Sequence, residues 1–438
     1  MSAQEGEGID VVPTSERTHG FWSLMAIWGG ITIIVLNFLL GAAAFRAGVV
    51  PAIVAVTLSL VVMGVIVYAA TYIAASKGTA GTTAMRAPFG IRGRIIPALA
   101  LLSSTFLGFG ILTGLLAGAL QPLLASFGVT IPVPVIAVVA GLVMAAFGVL
   151  GTEWIERLDL VAVPAMVLIV LWTVWQILAN NSMAGILDIG GAGLSFWGAL
   201  NVFPAATAAW LLFAMDFGRF GDAENPSRPA AGATIGAIVP AVLIGVIGVV
   251  AAAVVGQFNP VTIVTELGLG VIGLLFLIIG TWTTAVVNVY AGGVAFSQIV
   301  GVRRAYTSAA VGIVGTGAAA LGIFSLGGIM VFLDILNITL VPIIGIFFVH
   351  YFIVENGLDT DALFDTDGRY WYVAGFNPAA ALAWVLAGAY AAVSGMLAPF
   401  LVPGLSGIVV AGVLYYGLSL VFDRWSAAPT GTPSGTAD

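Results

Sequence analysis

Long apolar runs separated by short polar breaks set the pattern of the chain from Phe21 to Phe422. Twelve runs are close to the ~20 residues that a helix needs to cross ~30 Å of hydrocarbon. They lie at about 22–46, 50–75, 94–123, 132–151, 159–180, 198–219, 231–255, 268–298, 306–323, 327–352, 377–396 and 401–422. Backbone polar groups in lipid must pair within their own segment, so the pattern predicts an all-α polytopic membrane protein with about 12 transmembrane helices. Composition agrees, with 61% hydrophobic residues, 8% charged residues and a mean hydropathy of +1.14. No soluble domain could hide so much apolar surface behind so few charges.

Charge placement then fixes the expected orientation. With a cytoplasmic N-terminus, all 13 Lys and Arg residues except Arg46 fall on the inner side. One span more or fewer would scatter the later arginines over both faces. The net charge of −7 adds little, because orientation follows cations and not net charge. The polar, acidic stretch 1–20 lacks the layout of a cleaved signal, so it reads as a cytoplasmic tail ahead of a retained first helix. These features place both termini in the cytoplasm; together with the family resemblance given below they imply a bacterial-type inner (plasma) membrane.

Polar residues inside the apolar runs are the candidate chemistry. Residues 280–293 carry Thr281, Thr283, Thr284 and Asn288, and a helix puts Thr284 and Asn288 on one face. Hydroxyls can also bond back to the preceding turn, and Asn can simply join two helices. The first run holds Gly29-Gly30-Ile31-Thr32, where a helix can break or merely pack closely. The sixth holds Pro204 and then Ala205-Ala206-Thr207-Ala208-Ala209, a break or a plain proline kink. Helix one leaves the cytoplasm and helix six returns to it. Two five-helix units counted from these points therefore have opposite orientation, the arithmetic of an inverted-repeat transporter. The expected domains are a core over 21–352 with repeats at about 21–180 and 198–352, a cytoplasmic loop over 353–376 whose acidic stretch from Glu355 to Arg369 reads as a solvated turn, two further helices in 377–422, and a disordered cytoplasmic tail over 423–438.

Several classes drop out. Without cysteine, and with two histidines, neither disulfide bracing nor a multi-histidine metal centre is available. The glycine-rich basic loop 77–94 has no preceding strand and no closing Gly-Lys-Ser/Thr, which argues against a phosphate loop. Paired carboxylates and nucleophile-base sets are missing from the helices, so the chain does not read as an enzyme. Asp216 and Arg219, three apart at the end of helix six, suit a local ion pair or a gate, or a solvated helix end. Asp334 is the main ionisable group within a span and a coupling candidate, unless it meets water at the outer boundary. Trp210 could stack on a flat ring or pack against lipid.

Three strings carry a family resemblance. They are Lys77-Gly78-Thr79 with Arg86-Ala87-Pro88-Phe89-Gly90-Ile91-Arg92-Gly93, Asp216-Phe217-Gly218-Arg219-Phe220-Gly221, and Trp282-Thr283-Thr284 with Tyr290-Ala291. Together they resemble the nucleobase:cation symporter-1 family, the purine-cytosine permeases and their hydantoin-transporting relatives. The resemblance implies a LeuT-like fold of a 5+5 inverted repeat plus two C-terminal helices, alternating access, and cation-coupled uptake of a planar nitrogen heterocycle. It places a sodium site at the carbonyls of Gly30 and Ile33 with Thr283 and Thr284, with Gly280 standing where cytosine permeases carry Asn. Oxygen donors from unwound backbone and hydroxyls suit a hard cation, which favours Na+ over H+ as coupling ion; no other cofactor is implied.

The implied substrate pocket departs from the cytosine permeases. Their helix-three Gln and Trp correspond to Thr105 and Gly108, their helix-eight Asn to Ala285, and their helix-six Ser-Phe pair to Ala206 and Thr207. Losing directional partners redirects selectivity. Trp210, Asn288, and Phe106 or Phe109 are the nearby replacements for stacking and bonding. The expected cargo is a nucleobase-like or other small heterocycle that is not cytosine. A LeuT-like symporter of an amino acid or amine is the near alternative, and a transporter-derived membrane sensor or channel the far one. The expected partners are this small molecule and the lipid bilayer, with no nucleic acid.

Overall fold

The computed structural model describes residues 10–150, 152–322, 326–366 and 368–426. Residues 1–9 of the expected N-terminal tail and 427–438 of the C-terminal tail lie outside them, as do the side chains of Arg157 and Arg424. Among the described residues the chain is helical, with two isolated β-bridges, His19 to Gly221 and Val373 to Phe376.

The first apolar run forms α1 (Phe21–Thr32) and α2 (Val35–Ala44), with an angle of 61° between them. Next come α3 (Val49–Lys77), two single turns α4 (Gly81–Ala84) and α5 (Arg86–Phe89), α6 (Ile95–Ser126), α7 (Val133–Leu150), α8 (Thr152–Asn180) and a short α9 (Met183–Leu187). The second half runs α10 (Phe196–Thr207), α11 (Trp210–Gly218), α12 (Ser227–Val255), a short α13 (Pro260–Glu266), α14 (Gly270–Val300) and α15 (Arg304–Ala320). It closes with α16 (Leu326–Thr339), α17 (Val341–Val349) running into a π turn over His350–Val354, α18 (Pro378–Leu397) and α19 (Pro403–Ser426). Ends follow local chemistry. Asn259 and Asn377 cap α13 and α18 through their side-chain oxygens, each followed by a proline whose missing N–H costs nothing at a helix start.

Among the described residues nine helices are long and apolar enough to span a membrane, and the bent pair makes a tenth. The fifth and ninth expected spans correspond to α8, whose 166–180 stretch is apolar, and to the 17-residue α15.

Small residues weld the helices into two units. In the first, α12 packs on α1, α2 and α3, while α10 and α11 pack on α3. Gly232, Gly236 and Gly248 of α12 lie directly against the backbones of Phe21, Met25 and Phe38, so backbone meets backbone where any side chain would intrude. In the second, α6 packs on α14 and α15, and α7 on α15. There Gly293 sits against Ser308, and Gly312 against Ala145. Helices α18 and α19 pack on each other and on α17 at the periphery.

The loop 353–376 is not the solvated turn that its acidic composition suggested. Leu363 and Tyr370 are fully buried, and its backbone is laced to residues 86–93. The N–H groups of Arg92 and Gly93 donate to Gly375 O at 2.8 and 3.0 Å, and the Arg86 guanidinium donates to Leu363 O at 2.9 Å. A few apolar anchors outweigh the charges around them. Residues 10–20 dock on the same end, where Val12 N donates to Gly78 O and the Arg17 guanidinium to carbonyls at the end of α3. This is the basic end of the bundle.

Candidate functional site

The two units meet at the break between α1 and α2. Gly29-Gly30 weakens the helix, and the following Thr-Ile-Ile-Val run favours extended backbone. Ile33 (φ −78°, ψ 73°) and Ile34 (φ −132°, ψ 151°) leave the helical region. A break exposes carbonyls that must find donors. Two do: Gly29 O accepts from Ile33 N at 3.1 Å, and Thr32 O accepts from Asn37 Nδ2 at 2.8 Å. The Thr32 hydroxyl donates to Trp28 O, with Gly236 O of α12 at 3.1 Å, pinning the broken end to its unit. The carbonyls of Gly30 and Ile33 accept no hydrogen bond among the described residues.

Helix α14 lies against this break. A side chain at Gly280 would begin 2.8 Å from Val35, the first residue of α2, and 2.7 Å from the Met166 sulfur of α8, so the absent side chain lets three helices converge. About one turn on, the Thr283 and Thr284 hydroxyls donate back to Gly280 O at 3.3 and 3.0 Å. Both are local bonds that a stronger acceptor of their lone pairs would leave intact, since a hydroxyl donates once and still offers its oxygen. The hydroxyl of Thr281 is buried with no partner among the described residues.

Further along α14, Asn288 donates from Nδ2 to Thr284 O at 2.9 Å. Its Oδ1 lies 3.3 Å from where a side chain at Gly108 of α6 would begin, with Phe332 of α16 at 3.8 Å from the same point. Gly108, Asn288 and Phe332 thus share one spot. On the first unit Trp28 and Trp210 meet edge to face at 5.5 Å, both buried. The indole N–H of Trp28 has no hydrogen-bond partner among the described residues. A buried donor without a partner costs about 1–3 kcal/mol, so such a group marks a place where water or a ligand supplies the acceptor.

Other expected positions lie elsewhere in the packing. Thr105 is buried against Gly292, its hydroxyl donating to Leu102 O. Phe109 and Ala285 belong to the closed apolar cluster of the second unit, with Met144 and Val289. Thr207 donates to Phe203 O at 2.7 Å, and Ala206 is half-buried beside it. Helix six bends less than helix one. Pro204 withholds a donor, but Ala208 and Ala209 stay in the right-handed helical region and bridge α10 to α11 with tight turns, as in Leu211 N to Ala208 O. Alanine has no β-branch to drive the chain extended, so the span kinks where helix one unwinds. Trp28 and Phe332 carried no polar signal in the sequence; adjacency to Gly29-Gly30 was the only pointer to the first.

At the basic end the Asp216 carboxylate accepts the N–H of Gly81 at 2.8 Å. Gly81 sits so close to Leu212 that a side chain there would begin 2.7 Å from its carbonyl oxygen. Asp216 therefore ties the 77–94 loop to α11, while the Arg219 guanidinium lies 4.8 Å over the Phe220 ring. Asp334 is exposed in the middle of α16 and makes no hydrogen bond or ion pair among the described residues. At the opposite end a cavity of about 150 Å³ opens between α2, α6, α13 and α16, bordered by Leu39, Gly114, Asn259 and Ile329.

Known proteins share this architecture. The family model described as permease for cytosine/purines, uracil, thiamine, allantoin matches residues 11–418. A hydantoin permease of Microbacterium maritypicum is 27% identical over 435 residues, covering 92% of this chain and 86% of its own length. Among solved structures, the nucleobase-cation-symport-1 transporter Mhp1 superimposes in its inward-facing conformation with a TM-score of 0.83 at 23% identity, over 97% of this chain and 94% of that one. Its closed conformation with bromovinylhydantoin bound gives 0.78 at 24% identity, over 96% and 95%.

Proposed function

The chain belongs to the family of permeases for cytosine/purines, uracil, thiamine and allantoin, a transporter family and not an enzyme family, and on that premise we propose that it is a sodium-coupled symporter of a small planar nitrogen heterocycle other than cytosine. The observation that carries this reading is the pair of unpaired carbonyls, Gly30 and Ile33, at a helix break packed on the start of the Gly280 turn. Unwound carbonyls with threonine hydroxyls form an all-oxygen, uncharged donor set, which suits a monovalent hard cation. Gly30, Ile33, Thr283 and Thr284 are the proposed ligands, with the Gly280 backbone holding the two hydroxyls in place.

The heterocycle is proposed to lie between the two units, against Gly108, Asn288, Phe332 and the indoles of Trp28 and Trp210. Trp210 offers a face for stacking, while Asn288 and the Trp28 N–H offer hydrogen bonds. Thr105 and Ala206 are proposed to shape this pocket from behind, with Phe109, Ala285 and Thr207 bracing its walls. Thr105 and Ala285 bring no side-chain amide to the pocket and Gly108 no indole, and this supports a cargo other than cytosine.

Cation binding would draw the α1/α2 break onto α14 and so couple the ion to the seam that closes over the cargo. Each unit is internally welded by close contacts at glycines, so the easy motion is of one unit against the other. Asp216 with Gly81 would hold the basic end shut in one state, and Asp334 would serve coupling from α16. We further propose that the basic end faces the cytoplasm of a bacterial inner membrane, that 21–352 is the transporting core and that 377–422 is an accessory pair.

The test is thermal unfolding of the purified protein against nucleobases, hydantoins, pyrimidine vitamin precursors, amino acids and amines, each in sodium and in choline. Selective binding to the native state raises the apparent melting temperature. A heterocycle that stabilises only with sodium is the expected result. Stabilisation by amino acids or amines, or equal stabilisation in choline, would overturn the cargo or the ion respectively.

A further inference from the structure

A second cavity, of about 340 Å³, opens at the basic end, far from the α1/α2 break, between the start of α6, the end of α14 and the 353–376 loop. Its polar lining is cationic. Arg92 and Arg94 border it, with no carboxylate among the lining residues. Arg94 is half-buried, and its guanidinium makes no hydrogen bond or ion pair among the described residues. The Arg92 stem packs on Gly375 and its guanidinium lies 4.9 Å over the Trp371 ring, which leaves its N–H groups without an anionic partner. Arg86 adds a third cation nearby. Burial, then the charge of Arg94, pushes its pKa down to about 10, and burial lowers that of Arg94 as well. Arg86 and Arg94 repel one another and are partly stripped of water, with the exposed Arg92 beside the same opening, so an anion at this point offsets both penalties.

The remaining lining is apolar, from Ile95, Ala98, Ile299 and Phe376. Outside it lie the exposed side chains of Leu99, Val300 and Val302. The cavity sits where the apolar spans Ile95–Ser126 and Gly270–Ser297 end, the depth of a lipid headgroup. A cationic mouth above an apolar wall fits an amphiphile and leaves no reason for a free inorganic anion to prefer it.

We propose that this cavity binds an anionic phospholipid, its phosphate between Arg92 and Arg94 and its acyl chain along Ile95 and Ile299. The bound lipid bridges the α6–α14 unit to the loop that leads into α18. The proposal does not depend on the transported ion or cargo.

The experiment is thermal unfolding of the full-length protein in neutral detergent, titrated with phosphatidylglycerol, phosphatidylcholine or inorganic phosphate, on wild type, R94Q, R92Q/R94Q, R92K/R94K and K77Q. Lys77 lies at the same end outside the cavity. Phosphatidylglycerol is expected to stabilise wild type, K77Q and the double lysine variant. Its apparent affinity should fall about fivefold for each arginine neutralised. Equal protection of R92Q/R94Q, equal protection by phosphatidylcholine, or the same shift with inorganic phosphate overturns the site. Should R92Q/R94Q fail to fold, R94Q compared with R92K/R94K decides the question.

Discussion

Replacing Thr284 by Ala removes one proposed cation ligand while barely touching the fold. In the structure its hydroxyl donates to Gly280 O at 3.0 Å, a bond within its own helix. Such a bond contributes about 0.5–1.5 kcal/mol net. Alanine recovers part of that through its higher helix propensity, so the stability cost stays below about 1 kcal/mol. Losing an oxygen from a cation is a larger matter. Interactions of polar groups with a full charge are worth about 1.5–3 kcal/mol, and each 1.4 kcal/mol is tenfold, so half-saturating sodium should rise about 10- to 100-fold. The assay is the sodium dependence of the melting temperature, with choline holding ionic strength constant. Thr284→Ser should restore near wild-type sodium affinity, because it returns the oxygen. A variant that melts normally yet keeps its half-saturating sodium within about twofold of wild type would refute the ligand assignment, since a charge interaction lost from a site cannot be that small.

Three further outcomes follow from the same geometry. Gly108→Phe should project into the space between Asn288 Oδ1 and Phe332, abolishing ligand-dependent stabilisation while sodium still raises the melting temperature; overpacking should cost about 1–3 kcal/mol in the unliganded protein. Asp216→Ala strands the buried N–H of Gly81 and should destabilise by about 1–3 kcal/mol, whereas Asp216→Asn keeps an acceptor oxygen and should cost less, as read by thermal melts of the two variants side by side. Burial raises the pKa of Glu355, but hydrogen bonds and charge from His350, Tyr370 and Arg369 outweigh it and leave the carboxyl below its ordinary value. Its stabilising contribution is therefore complete above the unfolded value of about 4.3 and fades as pH falls through the folded one, so the acid limb of a stability profile should flatten in Glu355→Gln.

The sequence by itself determined the class of the protein. Spans, their polarity and the clustering of cations at one end follow from the requirement that lipid-exposed backbone pair within its own helix, a local condition that a one-dimensional pattern can express. Residues 280–293 and 29–33 were also legible as special, because hydroxyls, an amide and glycines stand out against an apolar background. What the pattern could not express is which faces meet. Gly280 against Val35, Gly108 against Asn288 and Phe332, and Trp28 against Trp210 join residues 180 to 245 positions apart, and none has a sequence signature that names its partner. The two helix breaks looked alike in sequence, yet only tertiary structure separated them, since Ile33-Ile34 goes extended where Ala208-Ala209 stays helical. The acidic loop misled for the same reason. Its charges dominate a composition count, while Leu363 and Tyr370 decide its fate by burying themselves against residues 86–93, because a few well-packed apolar contacts outweigh many solvated charges.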